Sequence, residues 1–151
     1  MTNMVQYAKD QAAALAMAAY RAAAGDGTLP QAEVPAAPVE VPRDTANGDF
    51  TTTFALAVSK ALRQPPRAIA QALLDHMDLE NSCFASAEIA GPGFLNFRLG
   101  RRWYEEVCAA VEREGADYGR SDSLKGQKIM VEFVSANPTG PMHMGNARGG
   151  V

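Results

Sequence analysis

Apolar positions along this chain change their period several times, and each change marks an element. Val5, Ala8, Ala12, Leu15, Ala16, Ala19 and Tyr20 recur every three to four residues, which predicts an amphipathic helix over residues 3–24. Gly25-Asp26-Gly27 ends it. Pro30, Pro35, Pro38 and Pro42 then punctuate a polar stretch, residues 28–48. Within it "PVEVP" supplies one short strand, and its flanking prolines assign that strand to an edge. Asp49 reads as the N-cap of a helix over 50–62, with Phe50, Phe54, Val58 and Ala61 on one face. Pro65-Pro66 stops that helix and starts the next, where Ile69, Leu73 and Met77 recur every fourth residue.

After residue 82 the period drops to two. "CFASAEIA" and "GFLNFRL" flank Gly91-Pro92-Gly93, a hairpin with a tight glycine turn. Alternation on the second strand puts Leu95, Phe97 and Leu99 on the core face and Phe94, Asn96 and Arg98 on the other. A helix over 101–115 follows, with Trp103, Tyr104, Val107, Cys108 and Val111 on its buried side, and Gly115 closes it. "ADYGRSDSLKGQK" is a polar linker. "IMVEFV" beyond it is a nearly continuous apolar run, the pattern of a strand in a parallel sheet. A domain boundary therefore falls within 117–127 and divides the chain into 1–119 and 120–151. The fold class is α+β: a two-layer first domain, helices over a small antiparallel sheet, then a strand, a loop and a helix start that are too little to fold alone.

Composition narrows the function classes. Lys and Arg total 14 against 17 acidic residues, a net charge of -3, which argues against a generally basic nucleic-acid coat but not against a local patch. Cys83 and Cys108 have neither CxxC spacing nor a nearby His, so they read as two reduced thiols, and a reducing cytoplasm is the default compartment. No window approaches the ~18 consecutive apolar residues of a membrane span. The alanine-rich start follows Lys9 and Asp10 and is interrupted by Arg21, so it reads as a helix of the mature protein and not a signal peptide.

Two places carry candidate chemistry. The Phe94, Asn96, Arg98 face combines an aromatic plane, an amide and a cation, which suits an unstacked base beside its phosphate. The plainer alternative is a half-buried Phe with solvated neighbours, and alternation alone leaves both open. The second place is "VEFVSANPTGPMHMGNARGGV", a strand running into a Gly-rich loop and a helix N-terminus, where unpaired N–H groups and the helix dipole favour an anion. His143 and Asn146 add side-chain donors, and Gly145 lets a flat base approach the backbone. This stretch is neither a P-loop nor a GxGxxG, and a lone HxGN is a weak signal.

The whole run is more specific than its parts. It closely resembles the first signature of class I aminoacyl-tRNA synthetases, in the form typical of arginyl-tRNA synthetases. "GDFTTTFALAVSKAL", "AGPGFLNFRL" and "DYGRSD" resemble that family's N-terminal additional domain, so the likeness covers about residues 39–151 in the family's order. It implies a Rossmann-like catalytic domain beginning at residue 120. It also implies ATP binding by the His-x-Gly-His motif at His143, Gly145 and Asn146, and arginine binding by Glu132, Ser135 and Asn137. A carboxylate suits a guanidinium because it accepts paired hydrogen bonds from the rigid fork. Phe94 and Asn96 would hold a D-loop base of the tRNA, and Arg148 would support the helix.

The implied chemistry is attack of the arginine carboxylate on the α-phosphate of ATP, then transfer of the arginyl group to the 3′ end of tRNA(Arg). ATP is a substrate accompanied by Mg2+; no tightly bound cofactor, protein metal site or covalent protein nucleophile is expected. The partners are tRNA(Arg), ATP and L-arginine, in a cytoplasmic enzyme that meets no membrane and is a monomer at full length. The motif's last His is Asn146 here, which donates a hydrogen bond but cannot become a cation. The remaining parallel strands, the KMSKS-type loop and the anticodon-binding domain would follow residue 151. The expectation is therefore an N-terminal fragment that is inactive by itself and retains at most contact with the tRNA D-arm. A stand-alone, non-catalytic RNA-binding module is the alternative, and a plain structural domain a third.

Overall fold

A computed structural model of the chain describes residues 3–132, 140, 141 and 143–147, the side chains of 146 and 147 excepted. The chain divides into two units, Met1–Arg120 and Ser121–Val151. The first is α+β. Its elements run α1 (Met4–Gly25), β1 (Val39–Glu40), β2 (Phe50–Thr52), α2 (Phe54–Leu62), α3 (Pro66–Asp75), β3 (Phe84–Ala90), β4 (Phe94–Leu99) and α4 (Arg101–Glu114). Among the described residues the strands form one sheet in the order β1-β2-β4-β3, with every neighbour antiparallel.

Asn3 caps α1, its side chain accepting from the Gln6 N–H at 3.0 Å. Ala8, Ala12, Ala16, Ala19 and Ala23 form the buried stripe of α1. Their small side chains let the helix lie close against α3 and the β1 edge. Tyr20 extends from that stripe to organise the proline-rich segment: its hydroxyl accepts from the Ala32 N–H at 2.9 Å and lies 3.0 Å from the Ala32 carbonyl. Gln11 joins α1 to the hairpin by accepting from the Cys83 N–H at 2.9 Å. β1 is an edge strand, as its prolines predict.

Two sequence expectations are corrected. Residues 50–52 are a strand, not the first turn of a helix, and α2 starts at Phe54. Asp49 does not cap that helix; its carboxylate accepts from the Leu99 N–H at 2.8 Å, and its own N–H donates to the Phe97 carbonyl at 2.8 Å. The hydroxyl of Thr52 takes the Phe54 N–H instead, at 3.2 Å. The β-branched threonines of "FTTTF" resist the helix, and Thr51 and Thr52 pair with β4 while Thr53 precedes α2. The second correction concerns α4. Its fully buried residue is Ala110, and Trp103 packs at the edge of the core with its Nε1–H donating to the Met4 carbonyl at 3.3 Å. Tyr104, Cys108 and Val111 face outward.

The core lies between the helices and one sheet face, where Leu95, Phe97, Phe54, Ile69, Leu73 and Val58 are wholly buried. Each such side chain contributes about 1.5–3 kcal/mol over leaving it in water. The hairpin turn rests on α3. A Cβ on Gly93, at φ 139°, would stand 2.9 Å from the Pro66 backbone, so only glycine fits there. Arg67 holds the same turn through a 2.7 Å bond to the Gly91 carbonyl.

In the second unit the described residues include α5 (Met144–Ala147). The strand expected at "IMVEFV" is not present at residues 129–132, which carry no ladder partner; residues 133 and 134 lie outside the described residues. Ile129, Met130 and Val131 are exposed. A strand buried on both faces needs neighbours to take its N–H and C=O groups, and none pairs with this segment among the described residues.

Candidate nucleic-acid interface

The hairpin positions the first candidate site. Alternation holds on β4: Leu95 and Phe97 point into the core, while Phe94, Asn96 and Arg98 point to the opposite face. Strand register then fixes their neighbours. Asn96 stands between Thr51 on β2 and Glu88 on β3, and Phe94 pairs with Ala90 beside the turn. An open cleft of about 320 Å³ lies over this row, lined by Pro42, Asn47, Thr51, Ala90, Gly91, Phe94 and Asn96. The structure thus brings Phe94 and Asn96 together at one concave surface, wholly within the first unit.

The three outward residues of β4 differ in freedom. Phe94 is half-buried and offers a ring face. Asn96 is only 2% exposed, and its Oδ1 accepts from the Thr51 hydroxyl at 2.7 Å. Arg98 is exposed, yet one guanidinium nitrogen already donates to the Ala46 carbonyl at 2.9 Å and to Glu88 at 3.4 Å. It therefore braces the 3-10 turn Thr45–Asn47, whose last residue forms part of the cleft rim. The arrangement can hold a flat ring on Phe94 while the amide meets a polar atom on its edge.

Sequence reasoning does not find Pro42, Asn47 and Thr51. Thr51 escapes it because residues 50–52 read as helix; the β-branched run "TTT" is the available signal. Asn47 and Pro42 reach the cleft through tertiary packing of a loop, for which periodicity carries no signal.

The second candidate site is placed only in part. His143 and Gly145 are exposed, and the His143 Nδ1 accepts from the Gly145 N–H at 3.1 Å. Asn146 lies on α5 by its backbone. Glu132 is exposed. Ser135, Asn137 and Arg148 lie outside the described residues, so of the arginine-binding set only Glu132 is seen. Among the described residues, no group of three or more His, Cys, Asp or Glu is arranged to hold a metal ion. No helix among them is long and apolar enough to cross a membrane.

The chain is similar to several known proteins. The family described as arginyl tRNA synthetase N terminal domain matches residues 7–99. An arginine–tRNA ligase of Acetivibrio thermocellus is 44% identical over 150 residues, 99% of this chain and 27% of that protein. One of Desulforamulus reducens is 42% identical over 149 residues, with the same 99% and 27% coverage. A crystal structure of arginyl-tRNA synthetase from Plasmodium falciparum shares the fold, with a TM-score of 0.51 at 13% identity over 65% of this chain and 17% of that one. The chain belongs to the arginyl-tRNA synthetase N-terminal domain family. It spans about a quarter of the length of the curated relatives it matches, 27% for both of these ligases.

Proposed function

We propose that this chain works as the N-terminal part of an arginine–tRNA ligase, which activates arginine with ATP and attaches it to tRNA(Arg) for translation. The observation that carries this reading is the 44% identity to a protein of that name across 99% of the chain. Residues 1–119 act as the tRNA-binding additional domain, and residues 120–151 open the catalytic domain. Phe94 stacks on a D-loop base of the tRNA and Asn96 bonds its edge; the cleft they share supports that role.

In the catalytic part, Glu132 takes the substrate guanidinium, with Ser135 and Asn137 beside it. His143, Gly145 and Asn146 receive ATP. A carboxylate oxygen of arginine attacks the α-phosphorus, the bond to the β-phosphate oxygen breaks, and pyrophosphate leaves, its charge offset by the Mg2+ that accompanies ATP. The tRNA 3′ end then attacks the arginyl carbonyl and releases AMP. The protein's part is to align reactants and stabilise charge. The setting is the cytoplasm, and the full-length enzyme is a monomer.

The test is a chimera with residues 1–151 in place of the matching quarter of the Acetivibrio thermocellus relative. It should charge tRNA(Arg) with arginine, and Glu132→Ala should abolish ATP–pyrophosphate exchange. A folded chimera that binds tRNA but charges nothing overturns the proposal. Residues 1–151 alone should give no exchange with arginine, ATP and tRNA, and turnover by them would refute the division of labour.

A second reading is a non-catalytic RNA-binding module, favoured by the cleft lying wholly inside Met1–Arg120. Micromolar tRNA binding that survives deletion of residues 121–151 and is lost in Phe94→Ala supports the module; equal binding by Phe94→Ala removes it.

A further inference from the structure

Two arginines lie at opposite ends of the outward row of β4, and their surroundings give them different roles. Arg98 stands four residues along the strand from Phe94, about 13 Å away. Its guanidinium lies 3.4 Å from the Glu88 carboxylate and donates to the Ala46 carbonyl at 2.9 Å, so a carboxylate already balances its charge. Arg67 comes from a different element, the first turn of α3, and reaches the Phe94 end of the row. Its Nη1 donates to the Gly91 carbonyl at 2.7 Å. Gly91 lines the cleft, and a Cβ on it would stand 3.7 Å from Phe94 Cδ2, so the ring lies against the residue that Arg67 holds. The start of α3 is fixed against that turn, because Gly93 leaves no room for a Cβ beside the Pro66 backbone. Among the described residues Arg67 forms no ion pair.

We propose, on the base-binding role given above, that Arg67 binds the phosphate of the nucleotide whose base rests on Phe94. The RNA backbone then leaves the cleft on the α3 side and not over Arg98. A carbonyl acceptor orients a guanidinium without neutralising it, and only one of its five N–H donors is used. The other donors keep a full positive charge beside the ring, in a fork that suits two phosphate oxygens. Seating the phosphate on Arg98 instead would bring it against the Glu88 carboxylate, anion beside anion. The chain as a whole is acidic, with a net charge of -3, so attraction for a phosphate has to come from a local cation of this kind. A phosphate contact sets the direction of the strand, while the ring and amide meet the base.

Uridine and its 3′- and 5′-monophosphates separate the two arginines, and a uracil base avoids the adenine nucleotide assigned to the second site. Each is titrated at low salt into the chain labelled with 13C and 15N, while the Phe94 ring and the Asn96 side-chain N–H2 pair are followed by NMR. The quantity compared is the ratio of the nucleoside Kd to the nucleotide Kd, in which any change in base binding cancels. In the wild type at least one monophosphate should bind about fivefold more tightly than uridine. Arg67→Gln should bring that ratio to unity, Arg67→Lys should keep most of it, and Arg98→Gln should leave it in place. A ratio of unity in the wild type, one unchanged in Arg67→Gln, or one lost in Arg98→Gln overturns the role of Arg67 and leaves the base-binding cleft standing. If none of the three ligands perturbs Phe94 or Asn96, the cleft does not hold a base, and this proposal falls with that reading.

Discussion

The first unit buries Phe54, Phe97, Ile69 and Leu73 completely, whereas in the second Ile129, Met130 and Val131 keep 54%, 97% and 63% of their surface. β4, "FLNFRL", has four apolar residues in six and "IMVEFV" has five, so apolar content does not separate them. What separates them is partners: β4 lies between β2 and β3 and under helices, while no strand pairs with residues 129–132 among those described. An apolar run specifies a strand only where other elements take its hydrogen bonds and cover its faces. The first unit meets that condition with its own residues.

The largest effect expected from breaking the contrast is at Phe97, wholly buried and 5.0 Å from the Phe84 ring. Phe97→Ala should cost about 3–5 kcal/mol in urea unfolding, while Met130→Ala should change the same transition by less than about 0.5 kcal/mol. Comparable losses at the two positions would show that residues 129–132 share the folded core after all.

A smaller effect separates two glycines of positive φ. Gly93→Ala would force a Cβ to 2.9 Å from the Pro66 backbone, whereas a Cβ on Gly126 meets nothing within 4 Å. Gly93→Ala should destabilise the first unit by about 1–3 kcal/mol and weaken ligand binding at the adjacent cleft. Gly126→Ala should leave that unit's transition unmoved, as thermal unfolding followed at Trp103 would report.

These contrasts bear on what the sequence can reveal. The hairpin is legible because its alternation is long and its turn residues admit one reading, and alternation alone assigns Phe94 and Asn96 to a common face. The strand Phe50–Thr52 is not legible, because three residues are too few to show a period ahead of a helix; losing it hides Thr51. On α4, Tyr104, Cys108 and Val111 share one helical face and read as core, but the core contact is made by Ala110 and the edge of Trp103. A small residue gives little signal, yet close packing selects it. At the second site, the motif residues are legible as a pattern, while Ser135 and Asn137 fall outside the described residues.

The first unit also has a link that pH should loosen. His76 sits at the C-terminal end of α3 with Nδ1 2.7 Å from the Ala72 carbonyl and Nε2 2.7 Å from the Asp26 carboxylate, just beyond α1. Both neighbours accept, so both favour the protonated ring. The bond to Asp26 leads in raising the His76 pKa above its ordinary 6.5, with Asp75 adding to it. The same bond, helped by Thr28, brings Asp26 from 3.8 to about 2. The His76 contribution is thus complete below 6.5 and lost as pH rises through its raised value; the Asp26 contribution is complete above 3.8 and lost as pH falls toward about 2. The urea midpoint of the wild type should exceed that of His76→Gln most between these limits, and the gap should close in alkali. A gap constant from pH 5 to pH 9 would remove the link.

The smallest effect on stability, and the finest contrast, lies between the two cysteines. Cys83 is fully buried where α1 meets the hairpin, and burial pushes its thiol up to about 11. Cys108 lies on the outward face of α4. Only a thiolate attacks an alkylating reagent, and only if the reagent can reach it, so both conditions point the same way. At pH 7.5 iodoacetamide should modify Cys108 at least about a hundredfold faster than Cys83, with the urea midpoint unchanged after the first label. Cys83 should react only as the unit unfolds, so its rate should rise with denaturant and be accelerated by Phe97→Ala. Protection of Cys108 to the degree of Cys83 would mean that the Tyr104, Cys108 and Val111 face is covered in solution, and the boundary between buried and exposed apolar surface would then have to be redrawn on α4.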